Sequence, residues 1–397
     1  MTYGKRPLEG VRVLDFTRVY SGPYCTMMLA DLGAEVIKVE KNGTGDDTRA
    51  FMPMKDGESG YYLYLNRNKK SIALDMKKKE SVEIVYRLAE WADVAVENFS
   101  PGVAERLGIG YDDLKKKNPA IIYGSISGFG QNGPYRCKPA YDVVCQAMGG
   151  FMSLTGEAGG KPYKLGPSIV DASAGIHMAF AIVSALFYRE KTGVGQFIDI
   201  GMMDTAFSTL ENFVVTKTLT GVTPTRNGNA NLGSAPFNSY RTRDGYVTIA
   251  VANNSLFDKL TTVMDRRDLL QDERLDQNYK RKMNEDILDV IIEEWTQNYT
   301  TKEICDMLDA AGVPVGPILG IDELISDPHL KEREMLVEID SPVVGKVIYP
   351  GNPIKYSETK VDRFESAPGL GENTKEILAV CGYENREIEE LMSKGII

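Results

Sequence analysis

Between Val11 and Glu40 the chain reads strand, helix, strand, and that unit limits the fold more than any other stretch. Val11-Arg12-Val13-Leu14-Asp15-Phe16 is a short apolar run of strand length. Gly22-Pro23 opens a helix over residues 24–32, and Gly33-Ala34 ends it. Glu35-Val36-Ile37-Lys38-Val39-Glu40 is the second strand. Two strands joined through a helix lie parallel, with a right-handed crossover. The alternation continues. Residues 71–75 predict a third strand ahead of a lysine- and glutamate-rich helix, 93–97 a fourth, 121–125 a fifth and 195–200 another. The expected fold is α/β: a doubly wound, Rossmann-like large domain with ligands at the carboxyl ends of its strands.

At 397 residues the chain exceeds one ordinary core, so a second domain is expected. Residues 223–238 are rich in Asn, Gly, Thr and Pro and read as a linker. A hairpin over 240–250 turns at Asp244-Gly245. Helices over 255–264, 285–299 and 301–311 follow. The expected division is a large domain at 1–222, a smaller α+β domain at 223–330, and a return to the large domain at 331–397.

Hydrophobic content of 43% and charged content of 26% describe a globular protein. A net charge of −10 and the lack of a long basic run leave no footprint for nucleic acid. No run approaches ~20 uninterrupted apolar residues, so no membrane span is expected. Met1 to Pro7 carries no apolar signal core. The five scattered cysteines, with no CxxC pair, read as reduced thiols of a cytoplasmic protein. Two histidines, His177 and His329, make a histidine-based metal site an unlikely design, and no metal is expected.

Two features carry chemistry. The first is Val170-Asp171-Ala172-Ser173-Ala174-Gly175, small residues followed by an apolar run from Ile176 to Tyr188. This predicts a helix beginning near Asp171 and entering a core. A carboxylate there is expected to meet unpaired N–H groups and the positive end of the helix dipole, which keep it ionised. The plain alternative is that Asp171 is only an N-cap. His177, six residues on, faces another side and reads as a core or helix-contact residue. The second feature is a set of loops after the strands, over 17–23, 41–46 and 98–102, with Arg106 one turn beyond Gly102. Each places polar or cationic groups beside glycine, which suits a phosphate-bearing ligand. GxGxxG is missing after the first strand, which excludes a standard dinucleotide site.

Assembled in order, the blocks LEGVRVLDFTRVYSGP (8–23), LGAEVIKVEKNGTGDDTR (32–49), NKKSIALDMK (68–77), VENFSPGVAERLG (96–108), SGFGQNGPY (127–135), PAYDVVCQAMGG (139–150), the Asp171 segment, KTGVGQFIDIGMMD (191–204) and GLGENT (369–374) resemble the class III coenzyme A transferases of CaiB/BaiF type, the group of formyl-CoA and carnitine CoA-transferases. The resemblance implies an interlocked homodimer, an aspartate nucleophile at Asp171, and no permanently bound cofactor, with coenzyme A or acyl-CoA as substrate. It places CoA contacts on Tyr20, Ser21 and Lys41; on Leu74, Asp75 and Lys77; on Asn98, Phe99, Ser100 and Arg106; and on Lys138, Tyr141 and Asp142. Lys41 and Arg106 suit the phosphates, Leu74 and Phe99 the adenine. Tyr20, Gly228 and Asn229 would face the acid.

A carboxylate nucleophile suits CoA transfer from a thioester to a free carboxylic acid, through an aspartyl mixed anhydride and an enzyme–CoA thioester. Oxyanions would be met by backbone N–H groups near Gly166 or in the Gly228 stretch. Formyl-CoA transferases carry glutamine where this chain has Tyr20, and a glycine run where it has Arg226-Asn227-Gly228-Asn229-Ala230. These departures leave the acid unnamed. Two readings compete. A 2-methylacyl-CoA racemase of the same fold needs a histidine before the aspartate of a GHD-like motif, and the corresponding residues are Ala140-Tyr141-Asp142. A non-catalytic CoA-binding protein would not need Asp171 in small surroundings.

Overall fold

The computed structural model describes residues 6–397, so most of the stretch searched for a signal lies outside the described residues. The chain forms two compact units. One comprises residues 6–152, Lys164–Thr223 and Pro328–Ile397; the other comprises Ser153–Tyr163 and Pro224–Asp327.

The first unit is built on a parallel sheet of β1 (Arg12–Asp15), β2 (Glu35–Lys41), β3 (Lys69–Leu74), β4 (Val94–Glu97), β5 (Ile122–Ser127) and β6 (Phe197–Gly201). Their spatial order is β3-β2-β1-β4-β5-β6. The order reverses between β1 and β4, and a crevice opens beyond the carboxyl ends at such a point. Because strand residues alternate, the sheet feeds two cores. Leu14, Ile37, Ile72 and Ala95 enter one, with Ile84 and Leu88 of the covering helix. Val13, Val36, Val94 and Ile122 enter the other.

That second face is covered by α1 (Ser21–Asp31) and by the long helix that holds Asp171. Between β2 and β3 lies α2 (Gly60–Asn66); α3 (Lys79–Trp91) follows β3, and α4 (Asp142–Met148) precedes α5 (Ile169–Thr192). Helix α5 starts at Ile169 rather than at Asp171, and Ser168 stands at its N-cap position. Asp171 therefore sits inside the first turn and is not the cap. Val170, Ala174, Met178 and Ile182, spaced four, four and four, form the buried stripe. Gly175 brings α5 onto α1: a Cβ there would stand 2.7 Å from the Ser21 carbonyl oxygen.

The sequence expectation of no membrane-length apolar segment needs correction. Helix α5 is long and apolar enough to cross a membrane, with a mean hydropathy of 1.7. Asp171, Ser173, His177 and Ser184 interrupt the run and hid it from a search for unbroken apolar residues. One face packs in the core; the other leaves Ile176, Phe180, Val183 and Phe187 exposed. His177 is exposed on this side rather than in the core, its Nδ1 2.8 Å from the Ser173 carbonyl oxygen.

The carboxy-terminal segment covers the open edge of β3. Asn373 exchanges hydrogen bonds with Ser71, its N–H to the Ser71 carbonyl and its Oδ1 from the Ser71 N–H, both at 3.0 Å. Asp75 N–H reaches the Ile396 carbonyl at 2.9 Å. An unpaired edge invites foreign strands, so this cover protects the sheet.

The second unit has its own core around Tyr240, Val247, Phe257 and Leu288. Its sheet pairs Phe237–Arg241 and Val315–Pro317 on either side of Tyr246–Ala250, all antiparallel. Ser153–Tyr163 groups with this unit because Gly228 N–H donates to the Gly156 carbonyl at 2.9 Å and Arg226 donates to that of Gly160 at 2.8 Å.

Candidate active site

Two cavities lie beyond the carboxyl ends of the sheet. The larger, of about 320 Å³, is bordered by Lys41 from the end of β2, by Leu74, Asp75 and Lys77 after β3, and by Phe99 after β4. Its lining joins apolar side chains such as Leu74, Met76 and Phe99 to charged ones of both signs, Lys41 and Lys77 beside Asp47 and Asp75. The smaller, of about 260 Å³, holds Asp171 together with Tyr20, Ser21, Asn98, Ser100, Lys138 and Tyr141. Phe99 borders both. The loops singled out from sequence therefore do meet on one rim.

Four expected residues stand apart. Arg106 ends the short helix Val103–Arg106 and borders neither cavity. Gly228 and Asn229 belong to the second unit. Asp142 is buried and lines neither cavity; its carboxylate has a different task. Its Oδ1 accepts the N–H of Val170 at 2.9 Å and of Asp171 at 3.2 Å, while its Oδ2 accepts from Gln146 at 2.6 Å.

The sequence expectation for the ionisation of Asp171 is overturned by that arrangement. The free amides of the α5 N-terminus are taken by Asp142, which also sets a second negative charge beside Asp171. Burial first, and then Asp142, push the Asp171 carboxyl up to about 7. A carboxylate of this basicity is a better nucleophile than an ordinary one, and half of it is protonated near neutral pH.

Sequence reasoning placed Arg18 only within the 17–23 loop, without a role of its own, and missed Tyr61. Arg18 borders both cavities. Tyr61, on α2, stacks edge-on to Tyr20 with ring centroids 6.1 Å apart. Burial, with Asp171 and Asp142 nearby, pushes its hydroxyl up to about 12, so it stays a donor. The run Gly60-Tyr61-Tyr62-Leu63-Tyr64 was the available signal: an aromatic-rich stretch between two strands that no strand period explains.

A doubly wound fold, a pocket and a half-buried basic carboxylate suit nucleophilic chemistry at a carbonyl, and comparison with known proteins says which. The family model for CoA-transferase family III matches residues 8–374. Human succinyl-CoA:glutarate CoA-transferase is 37% identical over 395 residues, covering 99% of this chain and 90% of that protein. Acetyl-CoA:oxalate CoA-transferase of Acetobacter aceti is 40% identical over 354 residues, covering 89% of this chain and 90% of that one. Among solved structures, a CaiB/BaiF family protein from Brucella suis superposes with a TM-score of 0.85 at 37% identity, covering 95% of this chain and 100% of that chain. The chain belongs to CoA-transferase family III, and it is an enzyme that transfers CoA.

Proposed function

We propose that the enzyme moves CoA from an acyl-CoA to a short dicarboxylic acid, with Asp171 as nucleophile. The observation that carries the nucleophile is the site of Asp171: a raised carboxyl in a cavity that adjoins a second, larger one. The adenine of CoA lies against Leu74 and Phe99, its phosphates meet Lys41 and Lys77, and its thioester reaches Asp171. The cations Arg18, Arg136 and Lys138 around the Asp171 cavity suit a second carboxylate on the acid. Relatives named for glutarate and oxalate support a dicarboxylate.

The ionised Asp171 attacks the thioester carbonyl and the CoA thiolate departs, leaving a mixed anhydride. The thiolate then attacks the aspartyl carbonyl, releasing the first acid and forming an enzyme–CoA thioester. The carboxylate of the incoming acid attacks that thioester and the thiolate leaves again. In the last step the thiolate attacks the new acid's carbonyl, which frees Asp171 and the new acyl-CoA. Every step is an addition and elimination at a carbonyl, so no redox group is needed.

A homodimer is part of this reading. Ile176, Phe180, Val183 and Phe187 are 40–74% exposed and fall four, three and four residues apart, one apolar ridge along α5. A second copy is the occupant, and Phe180→Lys is expected to yield a monomer in light scattering. The free cysteines suit a reducing cytoplasm.

The test is a panel of succinate, glutarate, mesaconate and oxalate against butyrate and isovalerate, each offered with acetyl-CoA and succinyl-CoA, with product thioesters read by mass. Transfer to the dicarboxylates alone is expected. Equal use of the monocarboxylates would remove the dicarboxylate proposal. Exchange of the α-proton of a 2-methylacyl-CoA without transfer to any acid would replace the mechanism with racemisation.

A further inference from the structure

The loop between β1 and α1 is held by side chains rather than by secondary structure. Thr17 N–H donates to Asp15 Oδ1 at 2.9 Å, and the Thr17 carbonyl accepts from Lys38 Nζ at 2.7 Å. Asn98 takes both groups of Arg18, accepting its N–H at 2.9 Å and donating to its carbonyl at 2.7 Å. Val19 N–H donates to Asp46 Oδ1 at 3.2 Å. Five successive backbone groups thus end on side chains of four other residues.

Within this loop Val19 has φ +65°, the left-handed region. A β-branched residue rarely occupies it, because its Cβ crowds the backbone, and it persists only where the surroundings impose it. The imposing groups are a buried pair: Lys38 Nζ lies 2.9 Å from Asp46 Oδ2, with side chains 0% and 1% exposed. Buried ion pairs contribute little net stability, so this pair is not explained as a stabiliser alone. Its polar atoms are turned on the loop backbone, and the next two residues, Tyr20 and Ser21, border the Asp171 cavity.

We propose that Lys38 and Asp46 are positioning residues for the transfer reaction: they hold Val19 in its left-handed conformation and so set Tyr20 and Ser21 against Asp171. The proposal rests on the transferase reading. Neither residue touches the reacting atoms. Released from the pair, Val19 returns to negative φ, the chain direction changes at that residue, and Tyr20 and Ser21 leave the cavity wall.

The experiment uses the full-length enzyme with Lys38→Met and Asp46→Ala together, so that neither charge is left buried alone. Both residues also line the larger cavity, so the readout is kcat at saturating acyl-CoA, which is expected to fall tenfold or more whatever the change in the Kd for CoA. Hydrogen exchange of the peptide over residues 16–21 should quicken in the double variant. Adding Val19→Gly should return at least threefold of the lost rate, because glycine enters the left-handed region freely. Loss of packing alone would not be repaired by removing a side chain. If the double variant does not fold, Asp46→Asn is the second test: it keeps an acceptor for Val19 N–H, so it should retain most of the activity that Asp46→Ala loses. A double variant as active as wild type, no rescue by glycine, or equal losses in Asp46→Asn and Asp46→Ala each overturn the proposal. A wild type that transfers CoA to no acid overturns the transferase reading itself.

Discussion

Asp142 caps the helix that carries Asp171, and the same carboxylate adds to the burial that makes Asp171 basic. One Oδ1 receives the N–H groups of Val170 and Asp171, while the charge at short range penalises ionisation of the neighbour. The two effects separate by substitution. Asp142→Asn keeps an acceptor for the two amides and removes the charge. The acid limb of the pH–rate profile, which rises through about 7 as Asp171 ionises, is expected to move to lower pH. Asp142→Ala also loses the cap, about 0.5–2 kcal/mol, so its Tm should fall below that of Asp142→Asn. An acid limb that stays in place in both variants would show that another group titrates there.

Asp171→Asn is expected to fold, to bind CoA and to be inactive. It should also be more stable than wild type above pH 7. The sign follows from linkage: a carboxyl raised from 3.8 to about 7 holds its proton longer in the folded state. Its contribution to stability is therefore lost as pH rises from about 4 to 7. At about 1.4 kcal/mol per unit the cost is at most on the order of 4 kcal/mol, less with solvent screening of a partly exposed group. Thermal melts at pH 4 and pH 8 check this, the gap between variant and wild type being small at the lower pH and wide at the higher. Hydroxylamine added during turnover of wild type should place a hydroxamate on Asp171.

Much of this site was legible from sequence because the parallel sheet is written in local pattern. Val11 to Phe16 and Glu35 to Glu40 alternate with a helix, and their carboxyl-end loops had to share an edge. Asp171 stood out through its small neighbours. Its basicity did not, since Asp142 lies 29 residues earlier in the chain and meets it only through the fold. Tyr61 was hidden for the same reason: nothing local brings α2 to Tyr20. Helix α5 begins at Ile169, two residues before the expected start near Asp171, and what sequence could not show is that its cap atoms come from another helix. The role of Lys38 was likewise invisible, since a lysine within a strand pattern reads as an exposed position.

Among the cations, the larger cavity separates two expectations that sequence left equal. Lys41 and Lys77 border it and Arg106 does not. Charge-assisted contacts to phosphate are worth roughly 1.5–3 kcal/mol. Lys41→Ala is therefore expected to raise the KM for acyl-CoA about tenfold, with the KM for the acid little changed. Arg106→Ala should change either value by less than about threefold. Steady-state kinetics with each substrate varied in turn decide it, and the reverse ranking would move the phosphates toward the Val103–Arg106 helix.

Gly175 tests the contact that brings the Asp171 helix against the Tyr20 loop. A Cβ at this position would stand 2.7 Å from the Ser21 carbonyl oxygen and 3.2 Å from Cys25 N, both backbone atoms of α1. Neither can move aside as a flexible side chain would, so Gly175→Ala must push α5 and α1 apart or shift one along the other. Alanine is the better helix former, by about 1 kcal/mol in an open site. Overpacking of a core costs typically 1–3 kcal/mol and opposes that gain, so the net change in stability is small while the displacement is not. The expected outcome is a folded protein with a Tm within a few degrees of wild type and transfer reduced at least tenfold in kcat, because Ser21 and Asp171 no longer border one cavity in the same register. Wild-type kcat in Gly175→Ala would mean that the spacing of these two helices does not set the reaction geometry.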